Sequence, residues 1–450
     1  MATDPVAAVE PATPAAGMSY GARLGVTFFL LSLFVLGHWV PLPFVNPEIF
    51  AWVKVPRTSS LMMLETTPLF TAFILVELFA LATSSGRRLR AAGPAGRAKL
   101  NRAALILGLA LSAVQAFGIA SVLANMTTPA GVPAVSLSGP VFRILLIATL
   151  TAVTAALFFL ASFLSEYGVG NGFSLLILTQ IGLSLWQVWA PRFMKESAVL
   201  SGIPPIEGVG ILLVGVLAAL LIRHVQSSEA TRTPPFPQST FPLVLAGVVV
   251  NSPFLLPRFF ENGQETLPWF AGPVAVLFAV PFFSWPAYHL FSSRGRLEAN
   301  LSEPEEVLDG LSDTLSRRFL TSTAFLTVGG AALTAWSWTR PETYVAFLTF
   351  LDLLLVTAIG FDLRDQFVFL RRNGATARLV QLDNVHLSYR LVARLEEEGI
   401  DALARGHHHR SLLFFFGPLV KIDVLVPRDQ LDEARAILAE LESAREIKVF

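Results

Sequence analysis

Seven consecutive residues, Gly168-Val169-Gly170-Asn171-Gly172-Phe173-Ser174, combine three glycines with a carboxamide and a hydroxyl. Such a run could cradle a phosphate, but that chemistry wants a preceding strand and a closing Lys-Ser/Thr pair, and neither is present. The glycines instead permit a tight turn and close helix approach, and the Asn171 amide can bond across helices where water is scarce. Glu77, Gln115 and Asp352 are polar groups inside long apolar runs. A charge in lipid is costly, so the two carboxyls read as paired, pore-facing or ion-coupling groups. His407, His408 and His409 are candidate metal ligands, yet adjacent imidazoles cannot all face one ion without a flexible loop, and no Cys or carboxylate cluster stands near them in sequence. The triplet therefore reads as a solvated turn, with no metal site and no cofactor. No HExxH or GxSxG motif and no paired intramembrane catalytic residues occur, so no enzyme is expected.

These residues are embedded in a chain that needs lipid as a solvent. Of its 450 residues, 53% are hydrophobic and 15% charged, and the mean hydropathy is +0.60, which leaves too little polar surface to clothe a soluble globule. The net charge of zero identifies no nucleic-acid partner, and the absence of Cys excludes disulfides and thiolate sites. Residues 1–20 are rich in Ala and Pro, lack a basic leader and read as a disordered cytoplasmic tail. Runs long enough to cross a bilayer fall near 22–42, 62–82, 103–124, 141–164, 172–190, 206–224, 240–257, 268–291, 319–338 and 342–361, about ten spans in all.

Basic residues orient them. With the N-terminus inside, the loop after span two puts Arg87, Arg88, Arg90, Arg97, Lys99 and Arg102 in the cytoplasm. Arg294, Arg296, Arg317 and Arg318 after span eight join them, as do Arg364, Arg371 and Arg372 after span ten. Both termini are thus expected in the cytoplasm.

The glycine run resembles the Gly-x-Gly-Asn-Gly-[Ile/Val]-Ser sequence that opens the fifth membrane helix of the SecY family, channel subunits of bacterial protein secretion. Ala95–Arg102 running into Gln115-Ala116-Phe117-Gly118 is similar to that family's Gly-Arg-x-Lys-Ile-Asn and Gln-Ala-Phe-Gly segments. Pro68–Leu78 resembles its second helix, with Glu77 in place of Gln, and Gly37–Pro43 and Leu353–Arg372 resemble the end of its first helix and its tenth helix. The resemblance covers roughly residues 20–375. It implies an all-α fold of two five-helix halves in an inverted repeat, hinged between spans five and six. It also implies a ring of apolar side chains at Phe70, Ile74, Phe173, Ile177, Val248 and Thr357 that seals around an unfolded polypeptide substrate. By the same resemblance the protein sits in the bacterial inner membrane, moves polypeptides, and has SecE- and SecG-like subunits as partners beside the lipid bilayer. The short loop at 223–239 and the Glu303-Pro304-Glu305-Glu306 loop argue against docking of SecA or a ribosome, and the segment between Pro43 and Pro68 is short for a plug. The alternative is a membrane scaffold or transporter derived from that family that no longer moves proteins.

After Gly374 the composition turns globular. Strands are expected at 378–382, 400–404, 412–416 and 421–426, a helix capped by Asn384 and ended by Gly399, and an amphipathic helix over 429–443. This order reads as a β-α-β-β-α-β ferredoxin-like domain over 376–450, able to fold alone, after a membrane domain over 21–375. It resembles a PII-like signal-transducing domain. A reporter fused after Gly374 is expected to be active only on the cytoplasmic side, and activity confined to the opposite side would refute this orientation.

Overall fold

Apolar runs of twenty or more residues become helices in lipid, because a helix satisfies every backbone group within itself. The computed structural model describes residues 18–46, 60–91, 93–127, 131–137, 139–194, 220, 236–247, 271–293, 305–339, 346–382, 385–413 and 421–443. Its helices are α1 (Tyr20–Gly37), α2 (Thr67–Ala82), α3 (Ser84–Ala91), α4 (Gly93–Asn125), α5 (Pro140–Tyr167), α6 (Gly172–Met194), α7 (Ala271–Phe291), α8 (Glu305–Thr339) and α9 (Ala346–Asn373). A further helical stretch occupies 241–247.

Four segments among the described residues are long and apolar enough to cross a membrane: Tyr20–Gly37, Ala98–Asn125, Pro140–Tyr167 and Ala271–Leu290. Two shorter apolar helices, Thr67–Ala80 and Gly172–Leu183, accompany them. The expectation of about ten spans is therefore met in part, and most of spans six and seven falls outside the described residues. Two helices overrun their expected spans. Helix α4 takes in the basic segment from Arg97 to Arg102, and α8 begins at Glu305 and takes in Arg317 and Arg318, which were read as loop. Charged residues at a helix end lie beyond the hydrocarbon, so nothing there forces the helix to stop.

Large side chains such as Phe28, Phe278, Phe282 and Trp285 point outward, as a lipid-facing surface requires. Inside, small polar groups join helices: the Ser112 and Thr154 hydroxyls meet at 2.9 Å between α4 and α5, and Thr66 Oγ1 donates to Gln180 Oε1 at 2.9 Å between the start of α2 and α6.

The chain then changes period. Strand β1 (Thr376–Leu382), helix α10 (Val385–Glu397), β2 (Leu403–Arg405), a six-residue helix α11 (His407–Leu412), β3 (Ile422–Pro427) and α12 (Leu431–Ser443) follow in order. The sheet runs β1-β3-β2 with both pairs antiparallel and a register shift between Arg378 and Val380. Gly399 takes the left-handed conformation (φ 82) that ends α10. The expected strand at 412–416 is corrected at its start, where Leu412 closes α11, while Phe414, Phe415 and Phe416 lie outside the described residues. No fourth strand occurs among the described residues. The apolar cluster of this domain, including Leu382, Val385, Leu391, Leu395 and Val424, is continuous with that of the membrane helices, including Phe34, Leu164 and Phe173.

His386 is buried on α10, and burial pushes its pKa down to about 4. The folded state holds the ring neutral while the unfolded chain protonates it near 6.5. This group therefore leaves stability intact above about pH 6.5 and costs up to about 3 kcal/mol as pH falls toward 4. Thermal melts of the protein between pH 7 and 4.5 are expected to drop less for His386→Met than for the unsubstituted chain.

Candidate functional site

The glycine-rich loop is built by close approaches that side chains would block. A Cβ on Gly172 would overlap the Ala161 carbonyl of α5, and Gly170 sits at φ 82, where only glycine is unstrained. Gly168 ends α5, its N–H donating to the Leu164 carbonyl at 2.9 Å. Asn171 caps the next helix: its Oδ1 accepts from the Ser174 N–H at 3.1 Å and from the Ser174 hydroxyl at 3.3 Å. Three further N–H groups of the loop are taken by three different elements. Val169 donates to Thr27 Oγ1 of α1 (2.8 Å), Gly170 to Gln366 Oε1 of α9 (2.9 Å), and Gly172 to Ser165 Oγ of α5 (2.8 Å).

Ser174 leads to a contact that sequence reasoning did not foresee. Its hydroxyl is hydrogen-bonded to Nδ1 of His409. The histidine triplet is not a solvated turn: it forms most of α11, and His408 through Leu413 are buried, Arg410 without any exposed surface. Gly406, at φ 83, turns the chain into this helix. A six-residue helix cannot persist on its own backbone bonds, and the membrane domain supplies the missing partners at both ends. Asp362 of α9 accepts two amides of the first turn, His408 N–H on Oδ1 (3.0 Å) and His409 N–H on Oδ2 (2.9 Å). At the far end the Leu412 carbonyl accepts from the Thr240 N–H (2.9 Å), from Thr240 Oγ1 (3.0 Å) and from the Ser239 hydroxyl.

Electrostatics follows the same pattern. His408 Nε2 lies 2.8 Å from Asp365 Oδ2. Burial raises the Asp365 carboxyl, but the His408 hydrogen bond and charge outweigh it and hold its pKa below the ordinary value. Burial, followed by the nearby Arg410, pushes His409 down to about 3, so the ring is neutral at physiological pH. Burial likewise opposes ionisation of Asp423 on β3, yet Arg405, Arg378 and Gln381 keep its pKa depressed. Arg405 also reaches the Ser165 carbonyl at 3.4 Å, tying β2 to the end of α5.

A single buried helix thus touches the glycine loop through Ser174, α9 through Asp362, and the start of the 241–247 helical stretch through Thr240. The residues 60–362 match the family model described as SecY. The chain belongs to the SecY family. Residues 377–442 match a second family model, described as "Putative prokaryotic signal transducing protein". Among curated relatives, the chain is 26% identical over 312 residues to protein translocase subunit SecY of Rickettsia conorii, covering 59% of this chain and 71% of that one. It is 31% identical over 173 residues to the same subunit of Aquifex aeolicus, covering 34% and 40%. The fold is similar to that of Sec61 in the canine ribosome-channel complex from the endoplasmic reticulum, with TM-score 0.50, 14% identity, and 79% and 94% of the two chains covered. It is a multi-pass membrane protein of SecY type.

The residues singled out from the sequence distribute unevenly. Phe173 and Ile177 on α6 are buried in the main apolar cluster, and Phe70 and Ile74 on α2 pack against that same cluster. Thr357 is half-buried, its hydroxyl donating to the Leu353 carbonyl at 2.7 Å, and Val248 lies outside the described residues. Glu77 is buried at 3% exposure, while Gln115 and Asp352 are half-buried. Asp362, Gln366, Thr27 and Thr240 were missed. The one usable signal was Gly406 immediately before the triplet, a residue type suited to a helix boundary.

Replacing Asp362 with Ala leaves two buried N–H donors without an acceptor, at about 1–3 kcal/mol for each. Hydrogen exchange at His408 and His409 is expected to accelerate in Asp362→Ala, with the β3 amides unchanged. Equal protection in both proteins would show that the cap does not hold the helix.

Proposed function

We propose that the protein is a polypeptide-conducting channel of the bacterial inner membrane whose cytoplasmic C-terminal module governs it through α11. The observation that carries this reading is the SecY family match across 60–362, with the glycine loop set at the mouth of α6. Phe70, Ile74, Phe173, Ile177, Val248 and Thr357 act as the apolar ring, which resists wetting when empty and offers a passing chain no specific bonds. The channel performs no catalytic step: a partner pushes the substrate, and the channel contributes a path and a seal. Both termini are cytoplasmic, and small SecE- or SecG-like subunits clasp the helices. Residues 376–450 form a separate module, and their seat on the glycine loop replaces docking functions for which the short cytoplasmic loops are poorly suited.

The reading as a scaffold that no longer moves proteins has one observation in its favour, namely that α11 bonds to both halves at once. A pore experiment separates the two. In reconstituted vesicles the double substitution Ile74→Ser, Phe173→Gly is expected to raise ion permeability as a dewetted constriction becomes wettable. A cross-linker placed at Phe173 is expected to capture a translocating chain. Unchanged permeability together with no capture favours the scaffold.

A further inference from the structure

We propose that Asp362, His407 and His408 form a binding site for a divalent transition-metal ion of the zinc class, placed where the C-terminal domain meets α9. One ligand atom from each of the three residues lies within 4.8 Å of the others. His407 Nδ1 is 3.8 Å from Asp362 Oδ1. Two ligands at about 2.0–2.1 Å from a tetrahedral ion stand about 3.3 Å apart, so closure around an ion asks for a shift of roughly half an ångström in this pair and of up to about 1.5 Å in the widest pair.

The arrangement of the two rings is not what a helix gives by default. Successive residues on a helix point in different directions, yet the rings of His407 and His408 have centroids 3.8 Å apart with their planes 37° from each other. Two features bring them together: the left-handed Gly406, which leaves His407 at the very start of α11, and Asp362, which fixes the first turn by taking the amides of His408 and His409. Those two bonds use one site on each carboxylate oxygen. A carboxylate has about four such sites, so Asp362 can cap the helix and hold a cation together.

A supporting shell stands behind the rings. The Asp365 carboxylate, 2.8 Å from His408 Nε2, fixes the orientation of that ring, the role a carboxylate often plays beside a metal-bound histidine. His407 Nδ1 donates to the Ala404 carbonyl in the ion-free protein, so taking up the ion there exchanges that hydrogen bond, with loss of the ring proton, for the bond to the metal. His408 and Asp362 are buried and His407 half-buried, which excludes most competing water. Two imidazoles and a carboxylate, in a chain without cysteine, select a borderline ion such as Zn²⁺ over the soft ions that prefer sulfur. An ion here bonds α9 and α11 to one centre, and so joins the C-terminal domain to the membrane domain more tightly than hydrogen bonds alone.

The test uses the full chain without a histidine tag, in detergent, stripped with a chelator and titrated with Zn²⁺ by calorimetry and with Co²⁺ by visible absorption. One equivalent per chain is expected, with the intense absorption of a low-coordinate Co²⁺ site. His407→Ala and His408→Ala are each expected to weaken binding by roughly tenfold or more, while the exposed His289→Ala leaves it unchanged. Absence of stoichiometric uptake by the unsubstituted chain overturns the proposal without recourse to any variant. So does uptake that survives both histidine substitutions, and in that case the two rings merely pack against each other.

Discussion

The joint between the two parts of this protein depends on one carboxylate. Asp362 lies at 8% exposure and accepts the His408 and His409 amides in the first turn of α11. Without an acceptor there, a helix of six residues has neither the length to sustain itself nor a way to bury its open N–H groups. With it, His408, His409 and Arg410 can be buried, because the amides of His408 and His409 have an acceptor. The Leu412 carbonyl completes the arrangement through Ser239 and Thr240. The C-terminal domain therefore shares one apolar cluster with the membrane helices rather than hanging from α9 by a linker.

The glycine loop plays the corresponding part on the other side. Its N–H groups are distributed among α1, α5 and α9, and its Ser174 faces His409. A loop that must bond to so many elements at close range has no room for side chains at Gly168 and Gly172. This explains in physical terms why a run with so little chemistry of its own is made of such particular residues. A rearrangement of the halves changes the partners of this loop, and the loop is where α11 rests, so opening of the channel and seating of the domain are coupled in the proposed function.

Much of the fold was legible in the sequence. Apolar length marked α1, α4, α5 and α7, and alternation marked β1. Gly399 ended α10 where a left-handed residue was needed, and the glycine run announced a tight junction before α6. What escaped is what tertiary structure decides. His407–Leu412 has no helical period, and its helicity comes from Asp362, more than forty residues earlier. The same segment was therefore read as a solvated turn followed by a strand. The basic ends of α4 and α8 were read as loop because hydropathy marks where lipid ends and not where a helix ends. Asp362 carries no signal of its role in the sequence, since nothing local distinguishes a carboxylate that faces water from one that faces a helix terminus.

The seat of α11 on the glycine loop can be measured directly because the chain has no cysteine. Ser174→Cys and His409→Cys, introduced together in the full chain and oxidised in native membranes, place two thiols at a pair of side chains in hydrogen-bond contact. The account predicts rapid, near-complete disulfide formation within one chain and little reaction of either single cysteine with a water-soluble maleimide. Failure to cross-link, with both single cysteines freely labelled, would contradict it.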